Sequence, residues 1–220
     1  PCPAGYRCPQ ARDSPIACNP GYYRYFTEAS TNCTSCPAGY FCDDPEATPQ
    51  PCEVGFYSGG GTAVCSACQP GYRCPEASVS ATPGCQACTE GYYCTDTGNT
   101  LATRTICPAG YYCPAGSASA TPCPAGTYND LIGSWTLDVC APCSIGHYCP
   151  RGSSSPTENV CPAGYYCPAS TPAADSFPCP AGTYSANTEL EVASECLVCT
   201  VGHYCLAGST SPTACSPGTY

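Results

Sequence analysis

The chain has 220 residues, of which 26 are Cys, 26 Pro and 22 Gly, and its formal charge is −10. Leu, Ile, Val and Phe together number only 22, too few for one large apolar core, so this Cys content points to covalent staples and an oxidising compartment. All six basic residues are Arg and are scattered (Arg7, Arg12, Arg24, Arg73, Arg104 and Arg151), which excludes a clustered positive surface for nucleic acid or anionic membrane, and no run of 18 apolar residues is present to span a bilayer.

An internal repeat organises the chain. In loose form it is C-x2-G-[YFH]-[YRF]-C, and it occurs eight times: Cys2–Cys8, Cys36–Cys42, Cys68–Cys74, Cys88–Cys94, Cys107–Cys113, Cys143–Cys149, Cys161–Cys167 and Cys199–Cys205. An open form, C-x2-G-x-Y without the closing Cys, starts at Cys18, Cys52, Cys123, Cys179 and Cys215. The unit starts divide the chain into long repeats at 1–35 and 36–67, a short repeat at 68–87, six-Cys super-repeats at 88–142 and 143–198, and a truncated repeat at 199–220. The two ends, PCPAGY and CSPGTY, are themselves fragments of the motif, and no signal peptide opens the chain. The sequence thus reads as a window on a longer array.

Each unit is too small to bury a core, and Pro or Gly interrupts every helix or strand pattern within a few residues. The Gly of each motif is expected in a turn at positive φ. Short two-stranded hairpins are expected between Cys18 and Cys33, Cys52 and Cys65, Cys123 and Cys140, and Cys179 and Cys196. The expected fold class is therefore small disulfide-rich repeats: an elongated rod or solenoid with short β-hairpins, many turns and little helix, each module touching mainly its neighbours.

Two pairing schemes fit the spacing. One closes each eight-fold motif on itself, as in Cys107–Cys113 and Cys161–Cys167, and joins each open-motif Cys to the next C-x2-C, giving Cys18–Cys33, Cys52–Cys65, Cys123–Cys140 and Cys179–Cys196. It leaves Cys215 to a partner beyond residue 220 and gives Cys85 none. The other joins each closing Cys to the next Cys, as in Cys8–Cys18, and orphans Cys2 and Cys88. Both are irregular near residues 85–94.

CPAGTY followed by a Cys and then C-x2-C resembles the ephrin-receptor-like cysteine-rich repeat, and is similar to the single-disulfide submodule of tumour-necrosis-factor-receptor ectodomains. The string CPAGYYCPAGSASATPCPAGTY at 107–128 resembles long arrays in surface proteins of protists and algae. The resemblance covers nearly the whole chain and implies the first pairing scheme. It is specific for the module rather than for an activity, since such modules serve receptors, stalks and filament subunits alike.

Candidate chemistry is sparse. His147 and His203 both replace a motif Tyr, which argues for equivalent structural positions rather than a site. No nucleophile–base pair, phosphate loop or paired-carboxylate pattern is present. Zinc ribbons need two C-x2-C knuckles at 15–20 residues' separation; only Cys68 to Cys85 fits, and Cys74 interrupts it. Asp43, Asp44 and Glu46 lack a calcium-loop pattern and read as a solvated acidic turn. No catalytic residue, metal or cofactor is assigned. Asn32-Cys33-Thr34 is an N-glycosylation sequon, and Ser14, Thr48, Thr82, Thr121, Ser155, Thr171 and Ser211, each beside Pro, are O-glycosylation candidates. The motif tyrosines are expected to pack on neighbouring disulfides or prolines. Trp135, in the apolar run LIGSWTLDV at 131–139, is the candidate assembly contact.

These features predict a non-enzymatic, extracellular structural protein, a disulfide-stapled subunit of a glycosylated surface filament, stalk or coat that associates with further copies or repeats. The alternative is a cysteine-rich ectodomain of a cell-surface receptor or adhesion protein that binds a protein ligand, with residues 76–106 as its distinctive region.

Overall fold

Glycine turns set the whole pattern. All thirteen motif glycines, from Gly5 to Gly218, adopt a positive φ, a region that side chains with a Cβ occupy only at a cost. The turn lets the next two residues run back along the chain as a strand. The computed structural model describes residues 2–9, 14–25, 32–81, 84–95, 97–100 and 103–218. Among them the strands form eleven two-stranded sheets, antiparallel as in Tyr111–Tyr112 with Thr121–Pro122. Helix is limited to two 3-10 turns, Leu137–Val139 and Ala193–Glu195. The fold is thus one of small disulfide-rich hairpin repeats.

The hairpins are more regular than the spacing implies. The first strand is the pair of residues after a motif glycine, and the second is the pair before the next motif Cys. Thr34–Ser35, Ser66–Ala67, Ala141–Pro142 and Leu197–Val198 are return strands, so each of these four hairpins closes just beyond the cystine rather than between its two Cys. The two residues inside a C-x2-C pair are therefore strand, held by the cystine before them and the turn after them. Closed motifs form hairpins too, as with Tyr6–Arg7 and Ile16–Ala17. After Gly164 the pairing is reduced to a single bridge, Tyr165 to Pro178.

Contacts divide the chain into two compact units, Pro1–Thr105 with Ala115–Ser119, and Ile106–Pro114 with Ala120–Tyr220. Within each unit, a set of three main-chain hydrogen bonds recurs between successive hairpins. In the first, the Gly39 amide donates to the Ser58 carbonyl at 2.8 Å, the Cys42 amide to Thr62 at 3.0 Å, and the Gly61 amide back to Cys36 at 2.8 Å. In the second, Gly126 donates to Cys149 at 2.7 Å, Asn129 to Ser153 at 3.1 Å, and Gly152 to Cys123 at 3.0 Å. Main-chain polar groups that a two-residue strand leaves open are thus satisfied by the following hairpin.

A further contact skips one hairpin. The loop glycine that bonds to one motif also lies over the motif glycine before it: a Cβ built on Gly55 would collide with the Gly98 carbonyl, and one on Gly110 with that of Gly152. The ring one residue after the motif glycine forms the floor of this contact, Tyr111 beneath Gly152 and Tyr165 beneath Gly208. Modules therefore engage their second neighbours as well as their first. The buried centre consists mainly of cystines.

Glycine substitution separates the two roles. Gly182 has a φ of 84° and open space around its Cα, whereas Gly55 has a φ of 94° and the Gly98 carbonyl against it. Gly182→Ala should cost about 1–2 kcal/mol, and Gly55→Ala clearly more, in guanidinium unfolding with disulfides intact. Equal losses would mean that the backbone angle alone requires these glycines.

Candidate functional site

Twelve disulfides are formed. Seven closed motifs hold their six-residue link, among them Cys107–Cys113 and Cys161–Cys167. Four open motifs reach the next C-x2-C through Cys18–Cys33, Cys52–Cys65, Cys123–Cys140 and Cys179–Cys196. Eleven of the twelve are links of the first scheme, and Cys88–Cys94 closes normally. The departure lies one unit earlier: Cys74 bonds to Cys85, and Cys68 is a free, buried thiol. Cys85 thus has a partner after all.

The sulfurs of Cys68, Cys74 and Cys85 lie within 4.8 Å of one another. Tyr57 and Tyr72 pack against the three. Burial pushes the Cys68 thiol up from its ordinary pKa, and a hydrogen bond with the Gln69 backbone partly opposes this. With Cys74 and Cys85 joined as a cystine, the cluster offers one thiolate rather than the three that a Cys-based metal centre would use.

A second set of polar residues replaces the closing Cys in the open motifs. Arg24, Ser58, Asn129 and Ser185 occupy that position, and all four are buried. The Asn129 side-chain amide donates to the Tyr111 carbonyl at 2.9 Å, the Leu131 carbonyl at 3.2 Å and Ser134 Oγ at 3.0 Å, while its Oδ1 accepts from the Leu131 amide. Arg24 donates to the equivalent carbonyl, that of Tyr6, at 2.8 Å. This hydrogen-bonded hub does locally what the cystine does elsewhere. Its signal was present in the sequence as the polar residue after each open C-x2-G-x-Y.

Another element was hidden in the sequence. After the closing Cys, the pattern C-P-x-x-[ST] recurs at Cys74–Ser78, Cys149–Ser153 and Cys167–Thr171. Its last hydroxyl is buried and donates to the Pro carbonyl, from Ser78 to Pro75, Ser153 to Pro150 and Thr171 to Pro168. Thr171 is 0% exposed, so it is removed from the O-glycosylation candidates: its hydroxyl is spent on the turn and no transferase can reach it in the folded protein.

Ser14, Thr48 and Ser211 are exposed, Thr121 and Ser155 are half-buried, and Thr82 lies outside the described residues. Asn32 is exposed, at a cleft of about 380 Å³ that also involves Arg7 and Tyr22. Trp135 is 52% exposed, with Leu131, Ile132 and Leu137 exposed around it. The two histidines share a ring contact to the carbonyl two residues earlier, but only His147 has a carboxylate beside it, Glu189 at 3.6 Å. Asp43, Asp44 and Glu46 are exposed, and carboxylate oxygens of the two aspartates accept from neighbouring backbone amides.

No family model and no curated protein matches this chain. The reading of its function therefore rests on its own geometry.

Two outcomes follow. Asn129→Ala should destabilise by about 1–3 kcal/mol, because it strips partners from buried polar groups, while Thr48→Ala at an exposed position should cost under about 0.5 kcal/mol; denaturant titration compares them. In glycopeptide mapping of material from a secreting eukaryotic host, glycan should appear at Asn32 and at exposed Ser/Thr-Pro sites and be absent from Thr171.

Proposed function

We propose that this protein is an extracellular structural module, a disulfide-stapled repeat subunit of a glycosylated surface filament, stalk or coat, of the kind its resemblance to ephrin-receptor-like arrays implies. The joint between hairpins is the observation that carries this reading. It uses main-chain groups and glycines, so the same joint serves any number of units and does not depend on a particular surface side chain. Repetition of this sort suits a protein whose task is to span and persist. The abundance of cystine supports an oxidising, extracellular setting, and no helix among the described residues is long and apolar enough to cross a membrane.

Assembly between copies is assigned to the exposed segment around Trp135. The alternative, a receptor or adhesion ectodomain, draws support from the same segment. Residues 131–137 read LIGSWTL, whereas the matching loop at 187–193 reads NTELEVA. Val192 in that loop is exposed as well, but the one Trp of the chain stands in a single repeat, and such an anchor suits a single protein ligand as well as a periodic contact.

Electron microscopy and sedimentation of purified protein should show concentration-dependent filaments. Trp135→Ser should weaken that association roughly thirty-fold, as expected for an interface hot spot of about 2 kcal/mol, without altering the disulfide map. Monomers at every concentration would overturn the filament reading and leave the ectodomain reading standing.

A further inference from the structure

The unit at 68–87 is a hybrid, and its chemistry differs from that of every other unit. A closed motif has an opening and a closing Cys that pair across six residues, as in Cys88–Cys94. An open motif lacks the closing Cys and pairs its opening Cys with the first Cys of the next C-x2-C, across 17 residues in Cys123–Cys140 and Cys179–Cys196. Residues 68–87 carry all three cysteines at once: the opening Cys68, the closing Cys74, and Cys85 as the first Cys of C-x2-C. The closed rule therefore pairs Cys68 with Cys74, and the open rule pairs Cys68 with Cys85 at a separation of 17. The structure has Cys74 with Cys85, a link found in no other unit. Three pairings compete for three sulfurs that already lie within 4.8 Å of each other.

We propose that Cys68, Cys74 and Cys85 form an internal thiol–disulfide exchange site, in which one disulfide and one thiol are shared among three positions. The Cys68 thiolate attacks Sγ of Cys74. A Cys68–Cys74 bond forms, the Cys74–Cys85 bond breaks, and Cys85 leaves as the thiolate that takes up the proton Cys68 gave up. Attack on Sγ of Cys85 instead forms Cys68–Cys85 and releases Cys74. Each step exchanges one S–S bond for another, with no net oxidation, so no external oxidant or reductant is required. Thiolate is the attacking species, and burial keeps Cys68 protonated at neutral pH, so exchange is slow there and accelerates at alkaline pH. The neighbouring units lack a third cysteine and are locked.

The test is disulfide mapping of the full chain, folded through a secretory pathway. Samples are held at pH 7 or pH 9 and quenched in acid and denaturant. They are then alkylated and cleaved without reduction after Arg73 and Glu76, which isolates Cys74 on the peptide Cys74–Glu76. The expected result is that this peptide moves between the Cys85 and Cys68 peptides, or appears as free thiol while those two are joined, with the pH 9 sample redistributing faster. Single variants should each form the one bond left to them: Cys68→Ser gives Cys74–Cys85, Cys74→Ser gives Cys68–Cys85, and Cys85→Ser gives Cys68–Cys74. A wild-type map that stays at Cys74–Cys85 alone after prolonged alkaline incubation would overturn the proposal. So would native protein whose three thiols are all free and release a stoichiometric metal on alkylation. If a variant fails to fold, the wild-type time course decides.

Discussion

Among the described residues, one hydrogen bond recurs at ten joints: the amide of a motif glycine donates to the carbonyl three residues beyond the next motif glycine. The other features follow from the room that bond requires. The glycine must sit at positive φ to aim its amide forward, and it must lack a Cβ where the carbonyl of a loop two hairpins on lies over it. The aromatic residue that follows then forms the floor for that loop. A chain with little aliphatic side chain is thereby ordered through its backbone, and cystines occupy the space that a core would otherwise fill.

The disulfides and the buried polar hubs are alternative answers to one local need. At the third position after the motif glycine, the chain must be held against the previous hairpin while its amide bonds to the next. A closing Cys achieves this covalently. Arg24, Ser58, Asn129 and Ser185 are buried at the same point and engage nearby main chain instead. Where the closing Cys is absent, its opening partner is free to make the longer link to C-x2-C. The two cystine lengths, six residues and 13–17 residues, are thus consequences of a single substitution. The unit at 68–87 is odd because it carries both answers.

Much of this was legible from spacing. The turn role of the motif glycine follows from residues close in sequence, whereas Cys18–Cys33, its three counterparts and the six-residue loops are one of two schemes that fit the spacing, the one the ephrin-receptor-like resemblance implies. The missed features have identifiable physical reasons. C-P-x-x-[ST] overlaps in composition with the CPAG that opens the motif, so CPAGYYCPAGS at 107–117 reads as one signal instead of two. The loop position at positive φ is glycine in six of its nine occurrences but Ala77, Ser170 and Glu189 in the others, which masks the pattern. Thr171 beside Pro172 looks like an exposed stalk residue until it is seen as the last member of C-P-x-x-[ST], whose final hydroxyl is buried. The contact between second-neighbour hairpins is a property of the fold. Cys74–Cys85 joins a closing Cys to the next Cys, the link of the second pairing scheme, and it forms in this unit alone.

The cystine loops follow one another along the chain without enclosing or crossing each other, and together they span about half of it. This has a mechanical consequence. A chain pulled from its ends can lengthen by at most about 3.3–3.6 Å for each residue outside the loops, because every cystine carries the load across its own loop and shields the residues within. Force can separate the hairpins, yet it reaches the remaining length only where a sulfur–sulfur bond is first opened. Tensile reach is thus set by covalent chemistry rather than by the strength of the packing.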